Sequence, residues 1–271
     1  MQGLPDFIDT SIKAAYINQL LHVGFDTIDF GSFVSPKAIP QMRDTADVLD
    51  QLDLFGSKTK LLAIVANTRG AEDALLFPEI DYLGFPLSLS ETFQQRNTNK
   101  SIEEAMHTVE DIQNRCQVKG KTLVVYLSMG FGNPYGDPYS PDMVSSFVSQ
   151  LDAMEISVIS FADTVGSADP GAIRQLYSVN SKEYPHIEFG IHLHTRPELM
   201  AEKVKSALGA GCRRFDGALR GFGGCPMAKD ELVGNVATEQ LIETLESEGY
   251  KTQVNKAELK ESLKLARVVF G

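Results

Sequence analysis

Seven short runs of apolar and β-branched residues, separated by amphipathic helical stretches, constrain this chain more than any other feature. The runs lie at residues 27–30, 60–65, 82–85, 122–127, 157–161, 188–191 and 214–216. Their length and near-continuous hydrophobicity suit strands buried on both faces, as in a parallel sheet. Between them, Ile12, Tyr16 and Leu20 recur at helical spacing, and Gly24 follows as a helix-ending residue. Ser101 with Glu103 and Glu104 reads as a helix start with an acidic first turn, and Pro141 and Pro170 open further helices. A βαβα cadence places the chain in the α/β class with right-handed crossovers. Of the two architectures in that class, a (β/α)8 TIM barrel is favoured over a doubly wound sheet, because no Gly-x-Gly-x-x-Gly follows an early strand. The count is one short: a strand expected before the Ile12 helix is missing.

The 271 residues suit one barrel domain, 1–271, with no linker or low-complexity segment. A formal net charge of −11 argues against nucleic-acid partners and anionic membranes. Cys116, Cys212 and Cys225 form an odd, sparse set that fits a reduced, cytoplasmic protein rather than a disulfide scaffold. No apolar run approaches the roughly 18 residues of a membrane span, and the first residues lack signal-peptide character.

In TIM barrels the chemistry lies at the C-terminal ends of the strands. There the chain carries Asp29, Asn67, Ser128, Asp163-Thr164, His192-Leu193-His194, the loop Gly221-Phe222-Gly223-Gly224-Cys225-Pro226, and Gly234-Asn235. Residues i and i+2 of a strand share a face, so both imidazoles converge on one point while Ile191 and Leu193 face the opposite layer. A metal or an anionic substrate accounts for that convergence; a pair of internally satisfied histidines accounts for it too. His192, His194 and an amide oxygen of Asn235 make a nitrogen and oxygen set that suits Mg²⁺ or Mn²⁺, with Zn²⁺ also possible. The other positions each admit a bland reading. Asn67 suits an Asx turn, Asp163-Thr164 a turn cap, Asp29 a partner for a lysine, and Cys225 a small buried residue.

Several segments carry a resemblance to a known family. They are Ser32-Phe33-Val34-Ser35-Pro36-Lys37 with Pro40-Gln41-Met42, Asn97-Thr98-Asn99 with Ser101-Ile102-Glu103-Glu104, and Gly132-Asn133-Pro134-Tyr135. Asp163-Thr164-Val165-Gly166, His192-Leu193-His194, Gly223-Gly224-Cys225-Pro226 and Gly234-Asn235-Val236-Ala237-Thr238-Glu239 complete the set. Over nearly its whole length the chain resembles 3-hydroxy-3-methylglutaryl-CoA (HMG-CoA) lyases, metal-dependent carbon–carbon lyases with a TIM-barrel fold. The resemblance implies metal ligation by His192, His194 and Asn235, and proton transfer by Cys225 on a closing loop. It implies substrate contact by Asp163, with Asn67 and Ser128 as further substrate-side candidates, and a catalytic role for Asp29 beside His192. An acyl-CoA substrate and a homodimer are implied as well.

Three departures stand out. Asp29 occupies a place where the family usually has glutamate. Thr195-Arg196-Pro197 replaces the usual Asp-Thr after the second histidine. The family's opening strand ends in an Arg-Asp pair that would fall before Met1 here, which agrees with the missing strand and leads to an expectation of weakened metal binding and little lyase activity. The rival readings are a related aldol-type lyase or condensing enzyme acting on another acyl-CoA, and a catalytically impaired barrel.

Overall fold

The computed structural model describes residues 1, 3–4, 6–223 and 233–270. Helix α1 (Thr10–Leu21) leads into β1 (Thr27–Ser32), then α2 (Thr45–Leu49), β2 (Lys60–Ile64), α3 (Thr68–Ala74) and β3 (Ile80–Ser88). Next come α4 (Glu91–Thr98), α5 (Ile102–Lys119), β4 (Thr122–Ser128), α6 (Pro141–Ala153), β5 (Val158–Asp163) and α7 (Pro170–Glu183). The chain continues through β6 (Glu188–Leu193), α8 (Pro197–Gly209), β7 (Arg214–Phe215), α9 (Thr238–Ser247) and α10 (Lys256–Phe270). All seven expected strands form. They join in sequence order into one parallel sheet, with β1 and β7 as its edges. This is the curled sheet of a TIM barrel with seven strands among the described residues.

Alternation along the strands builds two layers. Leu83, Phe85, Leu87, Leu123, Val125, Leu127, Ile159, Phe161, Ile191 and Leu193 face outward and pack, fully buried, under the helices. Inward, Leu62, Val124 and Val158 form a separate small cluster with Ile64, Tyr82 and Tyr126. That inner layer is the floor on which the polar strand ends stand.

The helix signals act as read. Ser101 and Glu104 form a reciprocal capping box on α5, and Ser140 caps α6 just before Pro141. The exception is α1, whose cap is His22 rather than Gly24, which follows two residues later with φ +79°, a left-handed conformation that glycine adopts without strain. The Pro40-Gln41-Met42 signature proves to be an anchor for the amino-terminal segment. Gln41 Nε2 donates to the Leu4 carbonyl at 2.7 Å, and Lys13 from α1 pairs with Asp44 Oδ1 at 2.6 Å, both side chains being buried.

Candidate active site at the carboxyl ends of the strands

His192 and His194 leave β6 on its inner face with their Nε2 atoms 3.3 Å apart. The Nδ1 atom of each ring is engaged from behind: that of His192 with Asp216 Oδ2 at 3.1 Å, that of His194 with the Val233 carbonyl at 3.0 Å. A carbonyl only accepts, so His194 carries its proton on Nδ1 and presents a bare Nε2. His194 is buried, and that burial, reinforced by neighbouring His192, pulls its pKa down to about 4. The ring is therefore neutral at pH 7, the form that ligates metals. The edge of Tyr126 closes against His192, with ring centroids 5.8 Å apart at 80°.

Asn235 stands opposite His194 in an antiparallel bridge. The Thr195 N–H donates to the Gly234 carbonyl, and the Val236 N–H to the Leu193 carbonyl, so this segment continues the sheet beside β6. The described start of the glycine-rich loop, Gly221–Gly223, lies close against it. A Cβ on Gly221 would lie 2.9 Å from the Asn235 carbonyl oxygen, and one on Gly223 2.7 Å from its amide nitrogen. Asn235 Nδ2 donates to the Phe222 carbonyl at 2.9 Å, which fixes the amide and leaves Oδ1 as the atom offered to a ligand.

This donor set fits a divalent cation. Two nitrogens each about 2.1 Å from one ion lie about 3.0 Å apart at a right angle and about 3.4 Å apart at the tetrahedral angle. The observed 3.3 Å falls in that range. Two lone pairs facing each other at that distance also call for a positive charge between them. Among the described residues, no group of three or more His, Cys, Asp or Glu side chains that could hold a metal ion converges.

Asp29 shares the inner face of the sheet, in register with Leu62 of the floor. It is open to solvent from the barrel's centre yet ringed by protein. Loss of hydration there, then repulsion from Asp216, pushes its carboxyl up to about 7, with His192 pulling the other way. The unfolded chain ionises first as pH rises, since its aspartates titrate near pH 4. Stability from this group is therefore present below about pH 4 and lost as pH climbs through about 7. Asp29→Asn should gain stability over the parent between pH 4 and pH 8. The gain is on the order of 1 kcal/mol, because solvent screens an accessible group. Urea titrations at the two pH values in EDTA check it, and an equal difference at both would contradict it.

Ser128 also faces inward, buried at the end of β4 and in register with Ser88. Two other sequence candidates sit elsewhere. Asp163 lies in register with Leu193, on the outer face of the sheet, where its buried Oδ2 pairs with Lys203 of α8 at 3.1 Å and accepts from the Ala168 N–H. The strand alternation that turns Ala162 inward beside His192 turns Asp163 outward, where it forms an ion pair that clamps α8 onto the sheet. Asn67 caps α3, its Oδ1 accepting from Gly70 N at 2.9 Å. This is the Asx-type role that the sequence also allowed. Asn67→Ala should lower stability by about 1 kcal/mol and leave KM for substrate unchanged; a raised KM would return Asn67 to the substrate site. Cys225 lies outside the described residues.

Sequence reasoning passed over Asp216, one residue beyond β7. The pairing of Ile191 with Phe215 sets it beside His192. The rule that singled out other polar residues at strand ends applies equally to Arg214-Phe215-Asp216.

A family model for HMGL-like proteins matches residues 1–267. The chain belongs to the HMGL-like family. It is 36% identical over 265 residues to the hydroxymethylglutaryl-CoA lyase YngG of Bacillus subtilis, covering 97% of this chain and 87% of that one. It is 32% identical to the mitochondrial hydroxymethylglutaryl-CoA lyase of Macaca fascicularis, with 97% and 80% covered. The crystal structure of the Bacillus subtilis HMG-CoA lyase superposes with a TM-score of 0.91 at 33% identity, over 99% of this chain and 89% of that one. An Acinetobacter baumannii HMG-CoA lyase in complex with coenzyme A and 3-methylmalate gives 0.90 at 30% identity, over 99% and 87%. This HMGL-like chain thus shares the TIM-barrel frame of those lyases. None of its described helices is long and apolar enough to cross a membrane.

Proposed function

We propose that this chain cleaves HMG-CoA to acetyl-CoA and acetoacetate with the help of a divalent cation, Mg²⁺ or Mn²⁺ before Zn²⁺. The observation that carries the reading is the convergence of His192 and His194 through bare-edged Nε2 atoms at the mouth of the barrel. His192, His194 and Asn235 Oδ1 would hold the cation, with coordination positions left over for substrate oxygens. When bound, such a cation acts as a Lewis acid toward the substrate's oxygens.

The protein's own groups then handle the protons. A base takes the proton from the C3 hydroxyl, the C2–C3 bond breaks, and its electron pair passes to C2 as the acetyl-CoA enolate. Carbon 3 becomes the ketone of acetoacetate. Asp29 is suited to the first transfer, because a carboxyl held near 7 exchanges protons readily at neutral pH. The same reading gives Cys225, on the loop that precedes Asn235, the delivery of a proton to C2. It also has the chain working as a homodimer in the cytoplasm.

The test incubates the purified chain with HMG-CoA and Mg²⁺ or Mn²⁺ and measures acetoacetate, with EDTA as control. Slow but metal-dependent acetoacetate release, above the EDTA control, is the expected result. Its absence at every metal concentration, or its persistence in EDTA, would overturn the reading. Parallel incubations with other 3-hydroxyacyl-CoA esters identify an enzyme specialised for a different acyl group.

A further inference from the structure

We infer that Asp216 is the positioning residue of this site: by accepting a hydrogen bond from His192 Nδ1, it fixes the ring and aims Nε2 at the cation. The inference rests on the metal-site reading above. His192 Nδ1 and Asp216 Oδ2 are 3.1 Å apart, and the two side chains are about two-thirds to three-quarters buried. They stand side by side at the ends of adjacent parallel strands, a place set by backbone register rather than by a mobile loop.

The surroundings explain why an acidic side chain can hold this position. Asp29 lies within electrostatic reach and repels Asp216. On the other side, two residues back along the inner face of β7, Arg214 supplies a counter-charge that interacts with both Asp216 and Glu188. The aliphatic stem of Arg214 lies across Gly190 of β6, where a Cβ would come within 2.9 Å of its Cδ. Gly190 is thus the gap that lets arginine share the inner layer with the His192–Asp216 pair. Tyr126 closes against another side of the imidazole. With Nδ1 committed to a carboxylate, His192 directs the other nitrogen to the same point as His194. A carboxylate behind a ligating imidazole raises its basicity and fixes its orientation.

Two readouts separate this role from simple packing. In ¹⁵N-histidine-labelled full-length protein without metal, the His192 Nδ1–H should exchange slowly and appear as a distinct resonance, assigned by its loss in His192→Gln. Asp216→Ala should abolish it. By calorimetry with MnCl₂, Asp216→Ala should bind about 10- to 100-fold more weakly than the parent, and Asp216→Asn, which keeps an acceptor oxygen of the same shape, by less. Asp216→Asn also serves if the alanine variant fails to fold, as judged by circular dichroism. A protected Nδ1–H that survives Asp216→Ala, or unchanged Mn²⁺ affinity in both variants, overturns the inference. Mn²⁺ affinity that survives His192→Gln overturns the metal-site reading instead, and the resonance then still decides whether Asp216 holds the ring.

Discussion

His194→Ala is expected to weaken Mn²⁺ binding by at least about 100-fold and to remove metal-dependent turnover with it. Losing an outer carboxylate behind a ligating histidine typically lowers metal affinity about 10- to 100-fold, so losing the ligand itself should reach or exceed the upper end. His194 is well suited to this test. Its burial keeps the ring neutral at pH 7, so no proton has to leave before a cation binds. Its Nδ1 proton is committed to the Val233 carbonyl, so only Nε2 is offered. The substitution removes no charge that another buried group depends on, so the thermal melting curve in EDTA should show a modest, cooperative loss. Calorimetry with MnCl₂ and the acetoacetate assay together give the result. Full Mn²⁺ affinity in His194→Ala would place the metal somewhere other than between these rings.

The second large effect concerns stability. Lys203→Met should destabilise the fold by about 3–5 kcal/mol at pH 7, the usual consequence of leaving a buried charge unpaired. The Asp163 side chain has no exposed surface and that of Lys203 only 3%, with the lysine also donating to the Gly166 carbonyl. Burial pushes the Asp163 carboxyl up, and Lys203 pulls it back. Removing the lysine leaves only the backbone hydrogen bonds from Ser167 and Ala168 to oppose the upward push. A carboxyl raised in the folded state contributes stability at low pH that is lost as pH rises. The deficit of Lys203→Met should therefore be largest at neutral pH and shrink toward pH 4. Urea titrations at both pH values check this, and Asp163→Asn combined with Lys203→Met should recover part of the loss. A neutral-pH deficit below 1 kcal/mol would show that Asp163 does not depend on its lysine.

The strands, the helix caps and the convergence of His192 with His194 were legible because each follows from a local rule. Alternation along a strand, a capping box and the i, i+2 relation are all set within a few residues of sequence. The partners of two candidate residues were less legible. Asp163 and Asn67 are polar residues at strand ends, and position alone cannot tell which face a side chain takes. For Asp163 the deciding fact is a lysine forty residues away on α8. For Asn67 it is the start of α3 at the next residue, where the Gly70 N–H donates to its side chain, a local signal that suits the Asx-turn reading. The family signature around Pro40-Gln41-Met42 was recognised as a pattern, but its physical work, anchoring the first residues through Gln41, depends on contacts across more than thirty residues.

By itself, the sequence determined the α/β cadence, the seven strands, the pairing of two imidazoles on one face and membership in a lyase-like group. The first three rest on periodicity and short-range geometry, which any chain carries with it; the last rests on the resemblance of its motifs to a known family. Only the tertiary structure decided that Asp216 backs His192, that the Phe222 carbonyl holds the Asn235 amide, and that Asp29 looks into the barrel while Asp163 looks out. Those facts arise where the register between neighbouring strands and the docking of helices bring distant residues within about 3 Å, the distance at which a hydrogen bond or an ion pair forms.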